Sequence, residues 1–234
     1  MNSVDFAPLF KRVGFSISDA KLLTEAFTHR SAVNENSSLP SHNERLEFLG
    51  DAVLELVTTE YLFRMFESPE GELTNLRSAL VKGDHLAQVA RKLCMGEYLM
   101  LSKGEERSGG ADKDYLLANL VEAFIGAIYL DQGIEKVRSF IAEFVLCDLN
   151  TIIAKREHID AKSEFQEITQ GELGVTPHYE VVLESGLDHE KTFVIAAYIG
   201  DLKAGEGQGG SKKEAQITAA ADALAHKEKW MKQS

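Results

Sequence analysis

Three carboxylates, Glu44, Glu47 and Asp51, stand three and four residues apart in HNERLEFLGDAVLEL, residues 42–56. On an α-helix that spacing gathers them into one acidic stripe. Leu46, Leu49, Val53, Leu56 and Val57 fall on the other side, where they can bury. Like charges one turn apart cost a few tenths of a kcal/mol per pair, and a hard divalent cation held by oxygen ligands would compensate them. The plain alternative is a solvated polar face. Phe48 argues against it, because it stands on the acidic side, where a solvated face has no use for an aromatic ring.

A second source of carboxylate is YLLANLVEAFIGAIYLD, residues 115–131, apolar nearly all round and therefore predicted to be the central helix. A buried Glu122 there costs several kcal/mol unless it is paired or metal-bound. Asn119 lies one turn before it on the same face. Gly126 lies one turn after, where the missing side chain admits another helix. Packing this face on the first stripe would gather Glu47, Asp51, Asn119 and Glu122 around one point. Four oxygen donors with no His or Cys among them specify Mg²⁺ or Mn²⁺ rather than zinc. The competing reading has Glu122 capping a neighbouring helix or pairing with Arg45 or Arg77.

These acids need elements to hold them, and the chain has the means. Its 234 residues, 44% hydrophobic, suffice for one or two domains with a proper core. Cys94 and Cys147 are far apart, with no zinc-type spacing, and read as free buried thiols of a reducing cytosol. The N-terminus lacks a signal-peptide pattern, and the longest apolar run, 116–130, is interrupted by Asn119 and Glu122. No membrane span is expected, and the expected location is cytoplasmic. Helical periodicity covers 19–32, 43–66, 73–93, 113–130 and 134–154, with breaks at Pro40, at Ser68-Pro69 and in the loop 102–110. After Asp160 the pattern becomes a helix over 162–172, three strands in TPHYEVVLES, KTFVIAAYIG and DLKAGEGQG, and an Ala-rich helix over 211–229. The fold class expected is therefore multi-domain: an all-α domain over 1–153, a linker over 154–160 and an α-β-β-β-α domain over 161–230.

HNERLEFLGDAVL resembles the signature motif of the ribonuclease III family. THRSA (28–32), PEGELTNLRSALV (69–81) and LVEAFIGAIYLD (120–131) resemble that family's other blocks, in order and spacing. SEFQEITQ (163–170), PHYEV (177–181) and GQGGSKKEAQITAA (207–220) are similar to a double-stranded RNA-binding domain. The resemblance implies Mg²⁺-dependent hydrolysis of double-stranded RNA by a homodimer. It implies two sites facing one duplex, 5′-phosphate ends with short 3′ overhangs, and work on ribosomal RNA precursors. By motif position Glu47, Asp51 and Glu122 match the metal-binding carboxylates, and Glu44 and Glu70 the additional acids of the cleft. Asn119 stands where the family often has Asp; its amide oxygen can ligate but brings no charge. Glu55 matches no family position and is assigned to solvent.

Hydrolysis by metal-activated water needs no protein nucleophile. His29 and His42 flank the acids but read first as capping or hydrogen-bonded histidines. Phe48 exposes apolar surface that a symmetric partner would bury across a two-fold axis.

The net charge of −12 argues on its face against a nucleic-acid partner. From Asp160 onward there are eight lysines, no arginine and thirteen acids, a balance of −5. Only a local patch can work. Ser211, Lys212 and Lys213 supply it at the start of the last helix, where the backbone N–H groups and the dipole also favour phosphate. Gln166 and His189 match the family's minor-groove contacts, with Leu187 replacing the usual proline of that loop. Such contacts read duplex shape rather than sequence. Two other classes stay open: a duplex-binding protein with little cleavage, if Asn119 impairs metal binding, and a Mg²⁺ phosphohydrolase of small phosphorylated substrates, which the RNA-binding module disfavours.

Overall fold

The computed structural model describes residues 4–36, 39, 41–155, 161–186 and 191–231. Two compact units divide the chain, Met1–His158 and Ile159–Ser234. Among the described residues the first is helical throughout: α1 Ala7–Val13, α2 Ala20–Ala26, α3 Arg30–Glu35, α4 Glu44–Met65, α5 Glu70–Val81, α6 Gly83–Lys92, α7 Lys103–Arg107, α8 Asp114–Gln132, α9 Ile134–Phe144 and α10 Leu149–Ala154. None of the described helices is long and apolar enough to cross a membrane.

The middle of this unit is α8, where Leu120, Val121, Ala123, Phe124, Ile125 and Ile128 are all fully buried. Such a helix is stable only inside a ring of others. Phe124 meets Phe27 and Phe140 edge-on, with centroids 5.7 and 5.6 Å away, so aromatic packing joins α8 to the end of α2 and to α9. Gly133, at φ 78°, ends α8 in the left-handed region, and Asp131 just before it accepts from the Ser18 and Asp19 amides. That carboxylate thereby fixes the start of α2, which Asp19 in turn caps.

Helices α4 and α8 approach each other closely. A Cβ at Gly50 would overlap the Glu122 carbonyl, and one at Gly126 the Leu46 carbonyl. The two acid-bearing helices therefore cross backbone to backbone, which only glycine permits. Gly126 does what its position implied; Gly50 was an unread partner in the same crossing.

Several expectations need correction. The helix predicted over 19–32 breaks at 27–29, because Met100 donates its amide to Phe27 at 2.8 Å and accepts from His29 at 3.0 Å, a bridge that periodicity cannot show. The run over 73–93 splits at Lys82, whose ψ of 148° is extended, and the run over 134–154 splits at 145–148. The loop 102–110 contains the short helix α7, which Ser102 caps. Leu56, expected to bury, is 59% exposed, while Leu46, Val53 and Val57 do bury. Glu55 is not left to solvent: it pairs with Arg77 at 2.9 Å. The cysteines are free but not buried, Cys94 being half-buried and Cys147 exposed.

The second unit is α11 Ala161–Leu173, β1 His178–Ser185, β2 Thr192–Ile199, β3 Leu202–Gly209, α12 Lys212–Ala225 and α13 Lys227–Met231. The sheet is antiparallel in the order β1-β2-β3. Phe193, Ile195, Ala197 and Ile199 alternate along β2 toward the helices, and Phe165 of α11 completes the core. Gly205, Gly207 and Gly209 take every second place on β3, where any Cβ would strike the backbone of α12. The Gly-rich stretch is thus a contact surface for a helix lined with Ala215, Ala219 and Ala223. The predicted last helix breaks at His226 into α12 and α13. Trp230 of α13 is buried, donates its indole N–H to the Ala223 carbonyl at 2.7 Å and meets Phe165 edge-on.

Candidate active site and nucleic-acid interface

Glu44, Glu47 and Asp51 all arise from the first two turns of α4, and Asn119 and Glu122 from the facing side of α8. Burial, Asp51 and Glu47, in that order, push the Glu122 carboxyl up to about 7. All three act in one direction, so this half-buried acid resists ionising beside its neighbours. Glu47 is also raised, first by burial and then by Glu44, while a hydrogen bond donated by the Asn119 amide works against the rise. Asn119 is thus joined to the cluster through Glu47.

The expected gathering around one point is looser than the sequence reading had it. Among the described residues, no group of three or more His, Cys, Asp or Glu is assembled closely enough to hold a metal ion. Glu47, Asp51 and Glu122 lie within each other's electrostatic reach. Glu44, which also acts on Glu47, lies 3.6 Å from Arg30 and 3.8 Å from His42. Glu70 begins a different helix, α5, and its carboxylate accepts from the Thr74 hydroxyl at 3.2 Å. Glu122 does not pair with Arg77, which is engaged with Glu55 and, at 3.1 Å, with the Thr59 hydroxyl.

Beside the acids is a cavity of about 200 Å³, lined in part by Glu44, Glu47 and Asn119 and in part by His29, Arg30 and Tyr115. His29 caps α3, its Nδ1 accepting from the Ser31 amide at 3.3 Å, as a capping histidine should. Arg30 and Tyr115 were not singled out from the sequence. The ion pair of Arg30 with Glu44 joins residues 14 apart and has no periodic signature; Tyr115, one turn before Asn119, could have been found from its place on that face. Phe48 projects from the acidic end of α4 and is 80% exposed.

In the second unit Gln166 is exposed on α11. One turn earlier Lys162 donates to the Gln216 side chain at 2.9 Å and lies over the Tyr179 ring. Ser211 is the N-cap of α12, and Lys212 and Lys213 are its first two residues, both exposed. The Lys212 ammonium sits 5.6 Å from the centre of the Phe193 ring. His189 and Leu187 lie outside the described residues, as does most of the expected linker.

A helical unit with acids on two facing helices, Glu47 and Glu122 among them half-buried, followed by a unit that offers lysines at a helix start, is the plan of a nuclease that carries its own RNA-binding domain. Residues 19–149 match the Ribonuclease-III-like family and residues 161–227 the double-stranded RNA binding motif. Ribonuclease 3 of Bacillus cereus (strain G9842) is 45% identical over 217 residues, 92% of this chain and 88% of that protein. The Bacillus anthracis (strain A0248) protein of the same name matches equally. The nuclease domain of ribonuclease III from Campylobacter jejuni superposes with a TM-score of 0.57 at 38% identity, over 61% of this chain and 97% of that one. The chain belongs to the ribonuclease III family of double-stranded RNA endoribonucleases.

Proposed function

We propose that the chain hydrolyses duplex RNA as a Mg²⁺-dependent homodimer, with Mn²⁺ as a substitute, through Glu47, Asp51, Asn119 and Glu122. The observation that carries this reading is the Glu122 carboxyl, raised to about 7 by burial and by two neighbouring acids and therefore short of positive charge. Three carboxylates and an amide, with no thiol or imidazole among them, suit a hard cation in chemistry. When bound, such an ion supplies activation of water and charge neutralisation at the departing oxygen. Glu122 must give up its proton to ligate, and Asn119 holds Glu47 in place through its amide. Glu44 and Glu70 would shape the cleft from its rim, Glu44 tethered by Arg30.

The products would be 5′-phosphate and 3′-hydroxyl ends with short 3′ overhangs, from cytoplasmic processing of ribosomal RNA precursors and other structured transcripts. For the homodimer, Phe48 is joined on the same stripe of α4 by Ala52, by Leu56 at 59% and by Phe63 at 74% exposure, an apolar strip with no use in a monomer. A Campylobacter jejuni nuclease-domain structure is itself described as having a region involved in dimer formation. Residues 161–230 would hold the duplex through Gln166, His189, Ser211, Lys212 and Lys213, and residues 1–153 would cut it. Incubating end-labelled duplex RNA with the protein, with and without Mg²⁺, tests the proposal: cleavage only with the metal is expected, and cleavage in excess chelator would refute it.

A further inference from the structure

The start of α12 already holds an anion. Ser211 accepts from the Glu214 amide at 3.2 Å, and the Glu214 carboxylate folds back to accept from the Gly210 amide at 2.8 Å. This is a reciprocal cap, which places a carboxylate beside the positive end of the helix dipole. It stands within the first turn that also carries Lys212 and Lys213. A phosphate drawn to those lysines therefore meets the protein's own negative charge where the helix would otherwise welcome it. The Ser211 oxygen accepts from the Glu214 amide, which leaves its O–H free to donate to a phosphate.

We propose that Glu214 is an affinity-setting residue for duplex RNA: its carboxylate competes with the RNA phosphates for the start of α12 and keeps that contact weak. The proposal rests on the reading that this helix end meets the RNA backbone. Its consequence is a duplex held mainly by shape contacts such as that of Gln166, with a phosphate grip loose enough to release cut product. In a unit of net charge −5, the position of a single acid at the lysine patch matters more than the overall balance.

Glu214→Gln separates charge from structure, because the amide oxygen can still accept from Gly210. Fluorescence anisotropy of the full-length variant with one labelled duplex, in Ca²⁺ or without metal so that cleavage does not intervene, gives affinity across a salt series. Binding should tighten about two- to fivefold at low salt, the size of one exposed charge at a helix end, and the gain should shrink as salt rises. Unchanged affinity would make Glu214 a helix cap and nothing more, and weaker binding would make it an RNA contact; either overturns the proposal. Circular dichroism of Glu214→Gln and of Glu214→Asp, which keeps the charge and should not tighten binding, guards against a folding effect. The underlying reading is tested apart from this by Lys212→Ala with Lys213→Ala. Undiminished binding, with an unaltered salt slope, would show that the RNA path avoids this helix end, whatever Glu214→Gln does.

Discussion

The two units handle charge in opposite ways while sharing one packing device. In the nuclease unit the candidate charges are acids on two facing helices, of which Glu47 and Glu122 are raised in pKa by burial and by neighbouring acids. In the RNA-binding unit they are lysines on an exposed first turn, with a carboxylate beside them. Yet both units bring backbones into contact through glycine: Gly50 with Gly126 in one, Gly205, Gly207 and Gly209 in the other. Chemistry that needs a poised, partly desolvated group is built inward; recognition that needs a solvated cation is built outward.

Breaking the inward site should have the largest effect. Glu122→Gln is expected to abolish cleavage while duplex binding, measured by anisotropy, stays intact, because the lysines belong to the other unit. Parallel loss of binding would erase the division of labour. The same variant sharpens the comparison through pH. A folded pKa of about 7 against an ordinary 4.5 means that the stability contributed by protonated Glu122 is present in full below about 4.5 and is lost as pH rises toward 7. Melting temperatures of the metal-free protein should fall across that window, and the fall should be smaller in Glu122→Gln.

Next in size are the glycines. Gly126→Ala and Gly207→Ala each force a Cβ into backbone, so each should destabilise its own unit by about 3 kcal/mol. Chemical denaturation followed by limited proteolysis can assign the loss. Gly126→Ala should also cost activity by separating α4 from α8, while Gly207→Ala should cost RNA affinity instead. If either variant melts as wild type, the close approach at that site is wrong.

Phe48→Ala should weaken self-association by about 2 kcal/mol, the usual worth of an aromatic at an interface centre. Sedimentation would register this as a shift toward monomer, and an unmoved dimer would place the interface elsewhere than α4. The smallest effect expected is that of Gln166→Ala. Losing one groove hydrogen bond should lower duplex affinity by about 1 kcal/mol with the salt slope preserved. A changed slope would mean that Gln166 acts through a phosphate after all.

What was legible in the sequence follows the range of the interactions. The α4 stripe, the central place of α8 and the β-β-β-α run were readable because side-chain spacing alone carries them. The role of Gly126 was readable for the same reason, one turn from Glu122. The break at 27–29 was not, since it depends on Met100, more than seventy residues away, bonding to Phe27 and His29. Nor were the pairing of Glu55 with Arg77, the tether of Glu44 to Arg30 or the exposure of Leu56. Each turns on which neighbour a helix finally meets. Ser211 shows a subtler limit. SKKE reads equally as a phosphate patch and as a capping box, and only the bond from Gly210 to Glu214 shows that the second use is realised.

Trp230 is the chain's single tryptophan, and it lies buried in the RNA-binding unit with its ring edge-on to Phe165. Indole emission therefore reports on one unit alone. The helical unit, crowded with phenylalanine around Phe124, contributes no tryptophan signal. Because the indole N–H is bonded to the Ala223 carbonyl, release of α13 alone would expose the ring to water before α12 unfolds. The molecule thus carries a built-in optical probe, in which fraying of its last helix and melting of the domain beneath it can be followed without any label.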